Sequence, residues 1–156
     1  MLEKAIVKVE IFKGLTQDQI EELYSWLERR DFETSQEILR EGESANGLYL
    51  LCSGTVRVIK ASSRGRFKLD EITAPSFFGE VALLDPNTRS ATVRAQTPVV
   101  TGFLPTSIFE TNVAKDNLTA LRISLNLGRI LSKRFRSVTS HLALTTAAIV
   151  KDRPGK

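Results

Sequence analysis

The sequence predicts a mainly β member of the α+β class: a jelly-roll β-sandwich flanked by N-terminal helices and a long C-terminal helix. From Phe32 to Leu104, short apolar segments are punctuated by turn residues at Glu41-Gly42, Ala45-Asn46-Gly47, Ser53-Gly54, Ser62-Ser63-Arg64-Gly65 and Ala74-Pro75. Strands this short, at this spacing, suit a sandwich. Outside that stretch, apolar residues recur at helical intervals. A helical reading of the middle would have to carry six glycines between residues 42 and 102, each costing about 1 kcal/mol against alanine.

The elements follow in order. Leu2, Ile6, Val9 and Phe12 predict a short amphipathic helix that Gly14 ends. Thr16-Gln17-Asp18-Gln19 has the form of a capping box, with Leu15 and Ile20 spaced as a hydrophobic staple. Ile20, Leu23 and Leu27 extend that second helix to about Arg29. Val56 and Val58 alternate with Thr55, Arg57 and Ile59, the period of a strand with one buried face. Pro105-Thr106-Ser107-Ile108-Phe109 restarts helix, and Lys115-Asp116 reads as the cap of a longer one from Asn117. Leu118, Leu121, Leu125 and Leu131 form one stripe of it and Ile123, Leu127 and Ile130 a second, so its first half should be buried on two sides. Beyond Ser132, Phe135, Val138 and Leu142 continue as a narrow seam that suits a partner helix, in a homodimer for instance, or packing back on the same sandwich.

At 156 residues the chain is read as one domain, 1–156: N-terminal helices over 1–30, a β-roll over 31–104 and C-terminal helices over 105–150. The one cysteine, Cys52, lies in an apolar run and reads as a strand residue. No apolar stretch approaches a membrane span and the N-terminus lacks a secretory pattern, so the expected setting is cytoplasmic. Residues 117–150 hold five basic residues (Arg122, Arg129, Lys133, Arg134, Arg136) and no acid, leaving 17 basic against 18 acidic elsewhere. The net +4 therefore resides on the last helix. A solvated face accounts for that as readily as nucleic acid does, and direct DNA binding is not expected. Enzymatic activity is not expected either. The single histidine, His141, lies far in sequence from the β region, and no metal set, nucleophile elbow or acid–base pair emerges. No cofactor is expected.

The chemistry concentrates in residues 77–93. Gly79 lets backbone approach a ligand closely, and the residues after it offer helix-terminal amides. Arg89 adds a planar fork for an anionic oxygen pair, with the Ser90 hydroxyl beside it. Glu80 would repel a phosphate but suits a ligand that also carries hydroxyls, such as a ribose phosphate. The alternative is that Glu80 and Arg89 simply pair with each other.

Phe78-Gly79-Glu80-Val81-Ala82-Leu83 and Arg89-Ser90-Ala91-Thr92-Val93-Arg94-Ala95 resemble the phosphate-binding cassette of the cyclic-nucleotide-binding domains. That family includes catabolite-activator-type regulators, kinase regulatory subunits and nucleotide-gated channels. The similarity extends to Leu48–Val58 and to Phe12-Lys13-Gly14-Leu15. The resemblance implies a regulatory module for cyclic AMP, possible cyclic GMP binding being the alternative. Its ligand residues would be Phe78, Gly79, Glu80, Val81, Ala82, Arg89, Ser90 and Ala91. Arg89 would take the cyclic phosphate with the amides near Val81 and Ala82, and Glu80 the ribose 2′-hydroxyl. Leu69 and Ile72 would lie against the base, and Thr139 or Ser140 would reach its edge from the last helix. Ser90 lacks the methyl of the threonine common in cyclic-GMP-selective members, which implies cyclic AMP. After the long helix, residues 145–156 are too few for a helix-turn-helix, so the output would pass to a protein effector or to the rest of a larger regulator. A module that keeps the fold and only dimerises or docks is the other reading.

Overall fold

The computed structural model describes residues 2–85 and 87–151, with side chains as far as Ala143. Helix α1 spans Leu2–Ile6 and a 3-10 turn Glu10–Phe12, followed by α2 over Gln17–Trp26. Eight strands come next: β1 Glu28–Phe32, β2 Glu37–Leu39, β3 Gly47–Ser53, β4 Thr55–Ser62, β5 Gly65–Thr73, β6 Ser76–Phe78, β7 Thr92–Ala95 and β8 Val99–Pro105. A 3-10 turn, Glu80–Leu83, interrupts them, and α3 (Thr106–Ala114) and α4 (Leu118–Lys151) close the chain. The strands form two antiparallel four-stranded sheets, ordered β1-β8-β3-β6 and β2-β7-β4-β5. The jelly-roll expectation holds. Among the described residues, no helix is long and apolar enough to cross a membrane.

Strand β3 shows why its sequence is apolar throughout rather than alternating. Its Leu48 and Leu50 join the cluster under the helices, with Ile6, Ile11, Leu23, Phe109, Ile123 and Leu127. Its Tyr49 and Leu51 face the sandwich interior, with Val56, Phe78, Val93 and Phe103. Side chains alternate between faces in a strand, so a strand covered on both sides must be apolar at every position.

The helix ends depart from the sequence expectation in three places. The first helix stops at Ile6, where Lys8 N–H and Val9 N–H turn to the carbonyls of Ala5 and Ile6 at 3.1 and 3.3 Å. That tightening buries Ile6, Val9, Ile11 and Phe12 together, which no single helical face could do. The capping box forms as expected, with Thr16 N–H on Gln19 Oε1 at 3.0 Å and Gln19 N–H on Thr16 Oγ1 at 3.3 Å. However, α2 ends at Trp26 rather than near Arg29, and the β-roll begins at Glu28 rather than 31. Pairing with β8, from Glu28 opposite Phe103 to Phe32 opposite Val99, overrides the local signal of three charged residues.

The cap of α4 is Asn117 rather than Asp116. Its Oδ1 accepts Ala120 N–H at 3.0 Å, while its Nδ2 and Thr119 Oγ1 donate to the Glu22 carboxylate at 2.7 and 2.6 Å. Helix α4 is thereby fixed to α2 at its start. Ala120, Ile123, Leu127 and Ile130 are buried against the helical cluster. The Leu118-Leu121-Leu125 stripe is exposed, so the first half is covered within the chain on one side, not two.

Candidate functional site

The site begins where β6 ends. Phe78 stacks on Tyr49, ring centroids 5.2 Å apart and planes within 4°, which pins the exit of that strand. Gly79 then adopts φ +73°, and a Cβ there would stand 2.9 Å from Arg89 Nη1. Both the left-handed backbone and the close approach require glycine. The chain continues into the short 3-10 turn Glu80–Leu83. The Glu80 and Val81 amides precede its first closing bond, as amides at a helix start do, but Ala82 N–H already donates to the Gly79 carbonyl at 3.3 Å. Thr106 Oγ1 donates to Ala82 O at 3.0 Å and ties the turn to α3.

Arg89 is held from both sides of its backbone, its N–H on Glu43 O at 2.8 Å and its carbonyl accepting Gly42 N–H at 2.9 Å. The side chain turns inward and is only 6% exposed. Its Nη1 donates to Gly79 O at 3.2 Å, and its Nη2 to Asn46 Oδ1 at 3.0 Å and Gly47 O at 2.9 Å. All three acceptors are neutral. Burial pushes the guanidinium below its ordinary value, with Tyr49 opposing the shift, yet an arginine stays charged. The result is a buried cation whose hydrogen bonds supply no counter-charge.

Glu80 is buried too, at 7% exposed, and it does not pair with Arg89. Its partner is Arg134, which reaches down from α4 with its guanidinium 5.5 Å from the Phe77 ring centroid. Two opposite charges nine residues apart in sequence thus keep separate company.

Between them opens a cavity of about 610 Å³. Phe78, Gly79, Glu80, Val81, Ala82, Arg89, Ser90 and Ala91 all line it, as do Leu69 and Ile72. Val58 and Val93 make an apolar floor, and α4 contributes Arg134, Ser137 and Val138. Thr139 and Ser140, expected at the base edge, lie outside it within one chain. Their hydroxyls are exposed and donate back to Phe135 O at 2.9 Å and Arg136 O at 3.0 Å along the helix. One helical position decides this, because Ser137 and Val138 occupy the face turned to the sandwich. His141 is exposed, its ring nitrogen 2.9 Å from Ser137 O.

Sequence reasoning missed Arg134, Ser137, Asn46 and Asp70. Arg134 was visible as part of a basic run, but nothing local said which of its five cations faces the cavity. Asn46 was visible only as a turn residue.

A closed β-roll carrying a buried cation beside a walled cavity defines a binding module for a small anionic molecule. The sequence profile of the cyclic nucleotide-binding domain matches residues 29–116, more than half the chain, and the protein belongs to that family. The CRP-like cAMP-activated global transcriptional regulator of Mycobacterium tuberculosis is 29% identical over 164 residues, covering 99% of this chain and 66% of the regulator. The catabolite activator protein of Thermus thermophilus superposes with a TM-score of 0.79 at 25% identity, covering 88% of this chain and 63% of that one. A cyclic nucleotide-binding domain from Methylobacillus flagellatus KT shares the fold, with a TM-score of 0.76 at 21% identity over 98% of this chain and 83% of its own. The chain thus spans just under two thirds of the length of the two regulators.

Proposed function

We propose that this protein is a receptor module for 3′,5′-cyclic AMP that relays occupancy through α4, and that it binds rather than catalyses. The observation that carries the proposal is Arg89: a guanidinium 6% exposed, bonded to neutral acceptors, at the end of a cavity of about 610 Å³. That volume lies within the roughly 300–1,000 Å³ of small-molecule sites. A cyclic diester supplies the counter-charge, and the Glu80 and Val81 amides at the start of the turn share its oxygens. Glu80 accepts from the ribose 2′-hydroxyl. Ser90 and the cAMP-activated relative support cyclic AMP over cyclic GMP.

The relay follows from Arg134. It occupies the same Glu80 carboxylate that the sugar needs, so ligand and helix compete for one acceptor. A ligand moves an equilibrium only by contacting its two states unequally, and this competition provides the inequality. The proposed partner of α4 is a second copy of the chain. Leu118, Leu121 and Leu125 are exposed at 3-4 spacing in its first half, and Phe135, Val138 and Leu142 are exposed at the same spacing in its second. The output passes to a protein effector or to further parts of a larger regulator.

Titration calorimetry with cyclic AMP and cyclic GMP tests the receptor reading. Arg89→Ala is expected to weaken binding about a hundredfold, about 3 kcal/mol, by removing a buried charge-assisted contact. Wild-type-like affinity in that variant refutes the assignment and leaves a dimerising module with the same fold.

A further inference from the structure

We propose that Asp70 reads the base, selecting a 6-amino purine over a 6-oxo purine; this rests on the cyclic-nucleotide reading above. The argument starts from the register of the second sheet. Val58 of β4 is paired with Val93 of β7 on one side and with Asp70 of β5 on the other. Directly paired residues project to the same face of a sheet. Val93, Val58 and Asp70 therefore form one row, and all three line the cavity. Val93 follows Arg89 closely along the chain, so the row starts at the phosphate end. Two strand spacings of about 4.8 Å put its other end roughly 10 Å away. A mononucleotide laid along that row places its diester at Arg89, its ring face on the two valines and its far edge at Asp70.

Asp70 is exposed although it lines the cavity, and a β-bulge beside it brings Leu69 to the same face. Pairing steps from Val58 opposite Asp70 to Ile59 opposite Lys68, so Leu69 is the extra residue. Neighbours in a regular strand point to opposite faces, yet Leu69 and Asp70 both line the cavity. Bulges commonly re-aim side chains beside functional sites. Asp70 Oδ1 accepts Glu71 N–H at 2.7 Å, which orients the carboxylate. Nearby cations are engaged elsewhere: Lys68 and Arg57 pair with Glu71 at 2.9 and 3.9 Å. Among the described residues, Asp70 has no ion-pair partner.

An ionised carboxylate only accepts hydrogen bonds. The far edge of adenine offers an amino group at position 6, which donates. Guanine carries an oxo group at the same position, whose lone pairs face the carboxylate. Set at position 6, Asp70 accepts from the adenine amino group and faces the guanine oxo group; guanine's own donors, N1–H and the 2-amino group, lie farther along the ring edge, so the selection depends on the carboxylate sitting at position 6.

The test measures dissociation constants for cyclic AMP, cyclic GMP and the cyclic monophosphate of unsubstituted purine riboside, which lacks the 6-amino group. The wild-type protein should bind cyclic AMP about tenfold more tightly than the unsubstituted compound, the scale of one hydrogen bond to a charged group. Asp70→Ala should abolish that difference, and Asp70→Asn, which can donate, should tighten cyclic GMP relative to cyclic AMP. An unchanged cyclic AMP preference in Asp70→Ala overturns the proposal, as does a variant that loses cyclic GMP more than cyclic AMP. Arg89→Ala run in parallel separates the two readings. If the wild-type protein binds all three compounds and only the arginine variant weakens them, the base assignment alone falls. If the wild-type protein binds none, both fall.

Discussion

The two halves of α4 carry apolar residues at comparable helical intervals but end in opposite environments. In the first half, Ile123 and Leu127 are 0% exposed, packed under α2 and the 3-10 turn Glu10–Phe12. In the second, Phe135 and Val138 are 73% and 66% exposed. Two ion pairs tie the second half to the body: Lys133 with Glu10 at 2.7 Å, and Arg134 with Glu80. Burial of methylenes contributes about 0.8 kcal/mol per group and is not screened by salt, whereas exposed ion pairs such as Lys133–Glu10 contribute at most about 1 kcal/mol and are screened. The first half is therefore held by buried contacts and the second largely by its two ion pairs. Periodicity reveals that a helix has a face to cover but not what covers it.

The contrast can be broken most directly at Ile123. Ile123→Ala should cost about 2–5 kcal/mol in urea unfolding, the range for truncating a buried aliphatic side chain; a loss below about 1 kcal/mol would mean that the first half is held no better than the second. Arg134→Ala should cost about 1–2 kcal/mol of global stability, less than Ile123→Ala, because its own side chain is 54% exposed although the Glu80 carboxylate it leaves is only 9% exposed. Its signature is local instead: amides of residues 133–143 should exchange several-fold faster while those of 120–130 do not change. Phe135→Ala should alter monomer stability by less than about 0.5 kcal/mol, yet sedimentation should shift it toward monomer if a second copy covers the seam.

The smallest effect is on pH. The hydrogen bond from Lys133 holds the Glu10 carboxyl below its ordinary value, with burial opposing it. A depressed folded-state pKa contributes stability that is present above the unfolded value, about 4.5 for a free glutamate, and lost as pH falls through the lower folded one. Protection factors in the distal half of α4, corrected for intrinsic exchange, should thus be flat from neutral pH to about 4.5 and fall only below it. A fall already at pH 6 would point to another tie.

Much of the site was legible because its parts are chemically unusual where they stand. Gly79 marks a backbone with positive φ and Glu80 is a charge in an apolar run, but spacing left pairing of Glu80 with Arg89 open, and the resemblance to the cyclic-nucleotide cassette is what singled out Arg89. The two-sided burial of β3 was legible from its unbroken apolar run. β1 was not, since Glu28, Arg29 and Arg30 read locally as the end of a helix and only pairing with β8 makes them a strand. The bulge at Leu69 showed only as a phase shift, Phe67 and Leu69 falling out of step with Ile72, which does not say where the cavity lies.

By itself the amino-acid sequence determined the local elements and their chemistry: a β-roll between helices, a capped α2, a cassette built on a glycine, an acid and an arginine. Those follow from propensity, periodicity and side-chain type, which act over a few residues. The tertiary structure alone decided that Glu80 and Arg89 do not pair, that Arg134 is the acid's partner, that Ser137 and Val138 rather than Thr139 and Ser140 line the cavity, and that Asp70 lines it too. Each of those depends on how distant segments are rotated and registered against one another. A shift of one residue there reverses the face a side chain presents, and no local pattern records it.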